Sequence, residues 1–193
     1  MLVHPTGADP APDLLAWARA HAAAPASLAP IHRLDKDTSG VVLCAADPRA
    51  TAAIAALFAA GRVAKTYLAL VVGRPPARGR IDRPLADARR GRPLAAATGF
   101  ERLEALGGLA LLALHPEHGR KHQLRRHLAA VGHPIVGDAR YGLAAPPGAA
   151  PPRLWLHALR VALPDGRRFE APLAPELAAH LDALRAATCA PGC

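Results

Sequence analysis

Aromatic residues are scarce in this chain: Phe, Trp and Tyr make up 4% of its 193 residues. A core therefore has to be built largely from Leu, Val and Ala. Cysteine is nearly absent. Cys44, Cys189 and Cys193 form no C-x-x-C pair, and an odd number makes a poor disulfide framework. Cys189 and Cys193 fall in what reads as an unstructured terminal tail. No apolar run is long enough to span a bilayer, and no basic segment leads into an apolar block as in a signal peptide. Acidic residues are the minority charge, 15 against 24 Lys and Arg, for a formal net charge of +9. These shortages lead to the expectation of a cytoplasmic chain without a membrane partner.

What is present is a globular composition, 51% apolar, in a length that suits one domain with a real core. The abundance of Ala, Arg and Pro fits a GC-rich genome. The positive charge attracts polyanions and speeds their capture at low salt. Nucleic acid, an anionic membrane surface and an acidic partner all satisfy it, and charge alone does not choose among them.

Residues 12–23 read as a short helix and 41–46 as a buried strand. Asp47 then caps a helix with Pro48 at its first position and Gly61 past its last turn. A strand is expected over 65–72, and an exposed Arg-, Pro- and Gly-rich loop over 74–95. Hairpins are expected about Gly107-Gly108 and Asp165-Gly166. Between them, 120–131 reads as a helix whose Leu124, Leu128 and Val131 face the core. A low-complexity loop over 143–152 and a closing helix over 175–187, opened by Pro175, complete the chain. No internal repeat or linker divides it.

Two clusters carry chemistry. His32-Arg33-Leu34-Asp35-Lys36-Asp37-Thr38-Ser39-Gly40 packs charge just before a buried strand, and its last four residues have turn composition. Gly119 to His127 is strongly basic. On a helix, His122, Arg125 and Arg126 lie one turn apart and form a basic stripe. Arg120, Lys121 and the helix N-terminus suit phosphates. From composition alone, the first cluster reads more readily as a capped turn and the second as a solvated polar face. His115, His118 and His122 have helical spacing, but without an H-E-x-x-H pattern no metal site is expected.

The motifs themselves carry a resemblance. His32 to Gly40 match H-R-L-D-x-x-T-S-G, which is the catalytic signature of RluA-type pseudouridine synthases. Lys65-Thr66-Tyr67 resembles the family's K-x-Y, and Ala96 to Phe100 resemble its A-x-T-x-Tyr/Phe strand. Gly119 to His127 are similar to T-G-R-x-H-Q-[IL]-R-x-H, with His118 in place of the opening Thr. Gly132 to Asp138 are similar to G-x-P-I-x-G-D, and Leu156-His157-Ala158 match the late L-H-A. These landmarks span about residues 2 to 175. Leu2-Val3-His4-Pro5 resembles an L-V-H-P that normally follows a strand and an N-K-P-x-G segment, which are absent here.

The resemblance implies an α/β fold of the α+β type: a mixed, largely antiparallel sheet with flanking helices. Residues 1–188 would form a single catalytic domain lacking the usual first strand, and 189–193 a disordered tail. It implies isomerisation of uridine in RNA, cutting the glycosidic bond, turning the base and rejoining it through carbon. That reaction is redox-neutral and consumes no water, so no cofactor is expected. Asp35 would be the catalytic carboxylate, attacking C1′ or removing the 2′ proton. Arg125 would favour its ionised form, and Tyr67 would lie against the uracil and assist late proton removal. Arg33 would fill the space left by the flipped base. Arg62, Lys65, Arg120, Lys121, His122, Gln123 and Arg126 are candidate RNA contacts. The partner would be tRNA or rRNA, bound by a monomer. Two other readings stay open. One is a non-catalytic RNA-binding module. The other is a hydrolase, in which Asp35 and Asp37 would supply the two carboxylates that glycoside hydrolysis needs.

Overall fold

The computed structural model describes residues 13–22, 24–87, 90–143 and 150–189. The Leu2–Pro5 motif, most of the 143–152 loop and the last four residues lie outside these. The first described element is the helix α1 (Leu14–His21), whose first turn is capped by the Asp13 carboxylate accepting from the Ala16 N–H. Three short pairings follow in place of the single strand expected over 41–46: β1 (Ala29–Pro30), β2 (Ser39–Gly40) and β3 (Cys44–Ala45). The segment breaks because its backbone bonds are shared between two partners. The Val41 N–H donates to Ala158, while the Leu43 carbonyl accepts from Ile31.

The helix α2 (Pro48–Ala59) starts where Asp47 and Pro48 predict. It ends as a helix with a C-terminal glycine should. Gly61 adopts φ +68°, its N–H reaches the Phe58 carbonyl, and the Arg62 N–H reaches Leu57. After it come β4 (Ala64–Val72), β5 (Arg78–Asp82), β6 (Leu85–Asp87), β7 (Arg92–Leu94), β8 (Ala97–Leu106) and β9 (Leu109–Pro116). Residues 74–95 thus carry three strands where a loop was expected. Arginines on the edge strand β5 hide its alternation, and they are balanced across the sheet: Arg78 bonds Glu101 and Arg80 bonds Glu117.

The chain ends with α3 (Gln123–Ala130), β10 (Leu156–Ala162), β11 (Arg168–Glu170) and α4 (Pro175–Cys189). Helix α3 starts three residues later than expected, because His122 sits at φ +52° and cannot belong to it. Val131, expected inside, is 45% exposed beyond its last turn. Helix α4 runs two residues past its expected end and takes in the backbone of Cys189.

One seven-stranded sheet has the order β11-β10-β4-β9-β8-β5, with β2 also on β10. Its pairings are antiparallel except for β2, which runs parallel to β10. The sheet is therefore mixed and largely antiparallel, with four helices among the described residues. Two apolar clusters hold it. The larger joins β4 and β9 to Leu124 and Leu128 of α3, Leu177 and Leu181 of α4, and Trp155. The smaller gathers Val41, Leu43, Val63, Val161 and Leu163, with Ile31 and Phe58 packed against them. Burying side chains of this size contributes about 2 kcal/mol each, so Ile31, Val41 and Leu43 anchor both ends of the charged segment between them.

Candidate active site

That anchored segment carries Asp35 on a tight turn. The Thr38 N–H donates to the Asp35 carbonyl, Asp37 adopts φ +66°, and Gly40 adopts φ +115°. The Asp35 carboxylate is 28% exposed. It faces the start of α3, with Arg125 Nη1 at 3.8 Å from one oxygen and His122 Nε2 at 4.0 Å from the other. Beside it opens a cavity of about 260 Å³ lined by Lys36, Asp37, His122, Arg125, Arg140 and Leu154, among others.

Arg125 is buried, which a guanidinium tolerates only with a close counter-charge. The partner is Asp138, whose carboxylate is fully enclosed and accepts from Nε and Nη2 at 2.7 and 2.8 Å. It also accepts from the backbone N–H groups of Arg140 and Tyr141. Burial alone would raise the Asp138 carboxyl. The bonds from Arg125 and from those two N–H groups outweigh it and hold the group below the usual carboxylate range. Asp138 in turn raises the Arg125 guanidinium, against burial.

Tyr141 lies between cations, with the Arg125 and Arg140 guanidinium carbons 5.2 and 5.4 Å from its ring centre. Its hydroxyl shares a 3.1 Å hydrogen bond with His122 Nδ1. Burial holds the His122 imidazole below its usual range, helped by Arg125, Lys121 and Arg140 and opposed by Asp35. Tyr67, on β4, packs against the larger core, and burial together with Asp35 pushes its phenol up to about 12.

The structure thus brings together three candidates named from the sequence: Asp35, Arg125 and His122. Tyr67 feels the Asp35 charge, which adds to burial in raising its phenol. Gln123 requires a correction. It was expected to touch RNA, but it is only 4% exposed. Its amide donates to the Ala97 carbonyl and the Thr98 hydroxyl and accepts from the Arg120 N–H, so it joins the start of α3 to β8. Arg120 and Arg126 each donate to a carbonyl about the β6–β7 hairpin, Ala95 and Ala86 respectively. Arg33 and Lys121 are exposed, whereas Lys65 is half-buried, with its ammonium lowered by burial and its charge acting on His32. Neither Arg62 nor Lys65 lines the cavity. His118, standing where the family has Thr, accepts the Ala97 N–H.

Asp138 and Tyr141 received no role from the sequence. A signal for Asp138 existed: Arg125 lies between Leu124 and Leu128 on a buried face, so a carboxylate had to come from elsewhere. Nothing singled out Tyr141. Among the described residues, no three His, Cys, Asp or Glu side chains are grouped to hold a metal ion, and no helix is long and apolar enough to cross a membrane.

A family model for RNA pseudouridylate synthase matches residues 1–130. An uncharacterized RNA pseudouridine synthase of Chloroflexus aurantiacus is 38% identical over 120 residues, covering 58% of this chain and 38% of that protein. The tRNA pseudouridine synthase C of Haemophilus ducreyi is 37% identical over 162 residues, covering 74% of this chain and 67% of that protein. The structure of human RNA Pseudouridylate Synthase Domain Containing 1 superposes with a TM-score of 0.73 at 28% identity, over 93% of this chain and 86% of that one. The chain spans well under half the length of the Chloroflexus protein. The match over residues 1–130, the likeness of the fold and the Asp35 motif place this chain in the RNA pseudouridylate synthase family, among its RluA-type members.

Proposed function

We propose that this chain isomerises particular uridines of a structured tRNA or rRNA to pseudouridine, with Asp35 as the carboxylate that acts on the sugar. One observation carries the proposal. Asp35 faces the Arg125 cation and the His122 imidazole, both of which line the neighbouring cavity, and the Arg125 charge is already balanced by Asp138. Asp35 therefore faces a cation without being locked into a close ion pair.

The target nucleotide leaves its stack, at a cost of a few kcal/mol, and enters the cavity, with Arg33 filling the gap. The N1–C1′ bond breaks with Asp35 attacking C1′ or taking the 2′ proton. The base turns, and C5 bonds to C1′, either displacing the Asp35 carboxylate or with the 2′ carbon regaining its proton from Asp35. The C5 hydrogen then leaves as a proton while N1 regains one, so atoms and charge balance with no external oxidant or water. A phenol at about 12 is protonated at neutral pH. Tyr67 therefore serves as a ring against the uracil and a hydroxyl donor, and is a poor base. Asp35 itself, or neutral His122, is better suited to take the C5 proton.

The test is tritium release from tRNA and rRNA transcripts carrying [5-³H]uridine, comparing the parent chain with Asp35→Asn. Release by the parent and none by the folded variant is expected. Free uracil among the products would mean hydrolysis, for which Asp37 lines the same cavity. RNA binding without release by either protein would leave a binding module.

A further inference from the structure

The turn that carries Asp35 stores local strain. It holds a non-glycine residue, Asp37, in the left-handed region, and its Thr38 hydroxyl is buried with no partner among the described residues. A left-handed Asp costs on the order of 1 kcal/mol, so neighbouring structure must over-determine the turn.

Arg153 does so. This arginine lies just before β10, and its guanidinium reaches two other parts of the chain, the Asp35 turn and α4. Nη1 donates to the carbonyl of Asp37, the strained residue, at 2.9 Å, and to its own neighbour Leu154 at 3.1 Å. Nη2 donates to the Ser39 hydroxyl at 2.7 Å. Nε donates to Glu176 on the first turn of α4 at 2.9 Å. An arginine can only donate, so the Ser39 hydroxyl accepts from it and passes its own hydrogen to His157 Nδ1, 2.8 Å away. His157 Nε2–H then donates to the Ala171 carbonyl. The backbone of Arg153 supports the other half of the site. Gly137, next to Asp138, lies so close to the Arg153 carbonyl that an added Cβ would stand 2.3 Å from it. Leu154, the next residue, lines the cavity.

We propose that Arg153 is the positioning residue that fixes the distance between Asp35 and Arg125. It clamps the Asp35 turn with its side chain, braces the Gly137–Asp138 loop with its backbone, and ties both to α4 through Glu176. It touches no reacting atom. Its catalytic consequence rests on Asp35 being the working carboxylate, whereas the clamp itself does not.

Two measurements on Arg153→Gln, Arg153→Lys and Glu176→Gln test this. The first is hydrogen exchange of the free protein over residues 35–43, which includes the Thr38 N–H bonded to Asp35. Arg153→Gln should exchange there at least tenfold faster, with α2 and the β8–β9 hairpin unchanged. Arg153→Lys and Glu176→Gln should fall between it and the parent. The second is steady-state tritium release. Arg153→Gln should lose roughly tenfold to a hundredfold in kcat, the scale of a small misplacement of a reacting group, with KM for RNA within about threefold. Unchanged exchange in the turn overturns the clamp, and faster exchange with unchanged kcat overturns its control of Asp35. A rise in KM with kcat intact would make Arg153 an RNA contact and also overturn it. If the parent releases no tritium, the proposed reaction fails, while exchange still decides whether the clamp exists. Should Arg153→Gln not fold, Arg153→Lys and Glu176→Gln carry both readouts.

Discussion

Arg125 and Asp138 are joined by two parallel hydrogen bonds, 2.7 and 2.8 Å long, around a carboxylate with no solvent exposure. The remaining guanidinium nitrogen points to Asp35 at 3.8 Å. Removing the Asp138 charge would leave a buried cation with its near acceptors weakened. Asp138→Asn is expected to destabilise the fold by about 3 kcal/mol, read as a lower midpoint in urea with an unchanged slope. Because folding lowers the Asp138 carboxyl, its stabilisation is complete above the usual carboxylate range and is lost as pH falls through and below it. The difference between parent and variant should therefore shrink in strong acid. A constant difference from pH 7 to pH 2 would disprove the role of the charge.

Histidines supply a second pH dependence at milder acidity. His32 accepts the Leu43 N–H through Nε2 and stacks on Phe58. Burial and Lys65 lower it to about 4, from 6.5 in the unfolded chain. Between those values the unfolded chain binds more protons, so stability is full above pH 6.5 and falls as pH drops toward 4. Burial lowers His127 and His157 in the same sense. The melting temperature should fall steadily across this window, and His32→Gln should flatten part of the slope. An equal slope in the variant would remove His32 as a contributor.

Gly40 marks the point where the Asp35 turn enters the sheet. At φ +115° it occupies a conformation that L side chains rarely adopt, and a Cβ there would stand 2.1 Å from the Ala158 carbonyl oxygen. Gly40→Ala should cost about 3 kcal/mol or more and, where it folds, abolish tritium release. Gly107→Asn, in an open hairpin turn at φ +59°, should cost well under 1 kcal/mol. Comparable losses in the two variants would refute the contrast.

Exposed and internal basic-cluster residues should separate in RNA binding. Lys121→Gln and, on the Asp35 segment, Arg33→Gln each remove an exposed cation, and Arg33 is tested here for a phosphate contact in place of the gap-filling role. Each should lower the slope of log K against log salt by roughly 0.7–0.9, the value for one phosphate contact. Gln123→Ala should leave the salt slope alone and destabilise the fold by about 1–3 kcal/mol, because Ala97, Thr98 and Arg120 lose their partner. A reduced slope in Gln123→Ala would return that residue to the interface.

Elements with local signals were legible before folding was considered. Asp47, Pro48 and Gly61 mark both ends of α2, and Gly107-Gly108 marks the β8–β9 hairpin, because caps and turns are set by a few adjacent residues. Contiguous motifs also singled out Asp35, Tyr67 and Arg125 as candidates for the chemistry. Tertiary structure alone decided what those residues face. The Arg125 counter-ion lies 13 residues away, and the clamp on the Asp35 turn lies 114 to 116 residues away. No local pattern encodes such distances. The edge strand β5 was hidden for the same reason, its arginines being balanced by Glu101 and Glu117 across the sheet. Gln123 read as a surface contact because its motif is polar, yet burial is fixed by what packs over a residue. Charge and hydrogen-bonding capacity are written in the sequence, and folding decides which groups satisfy them.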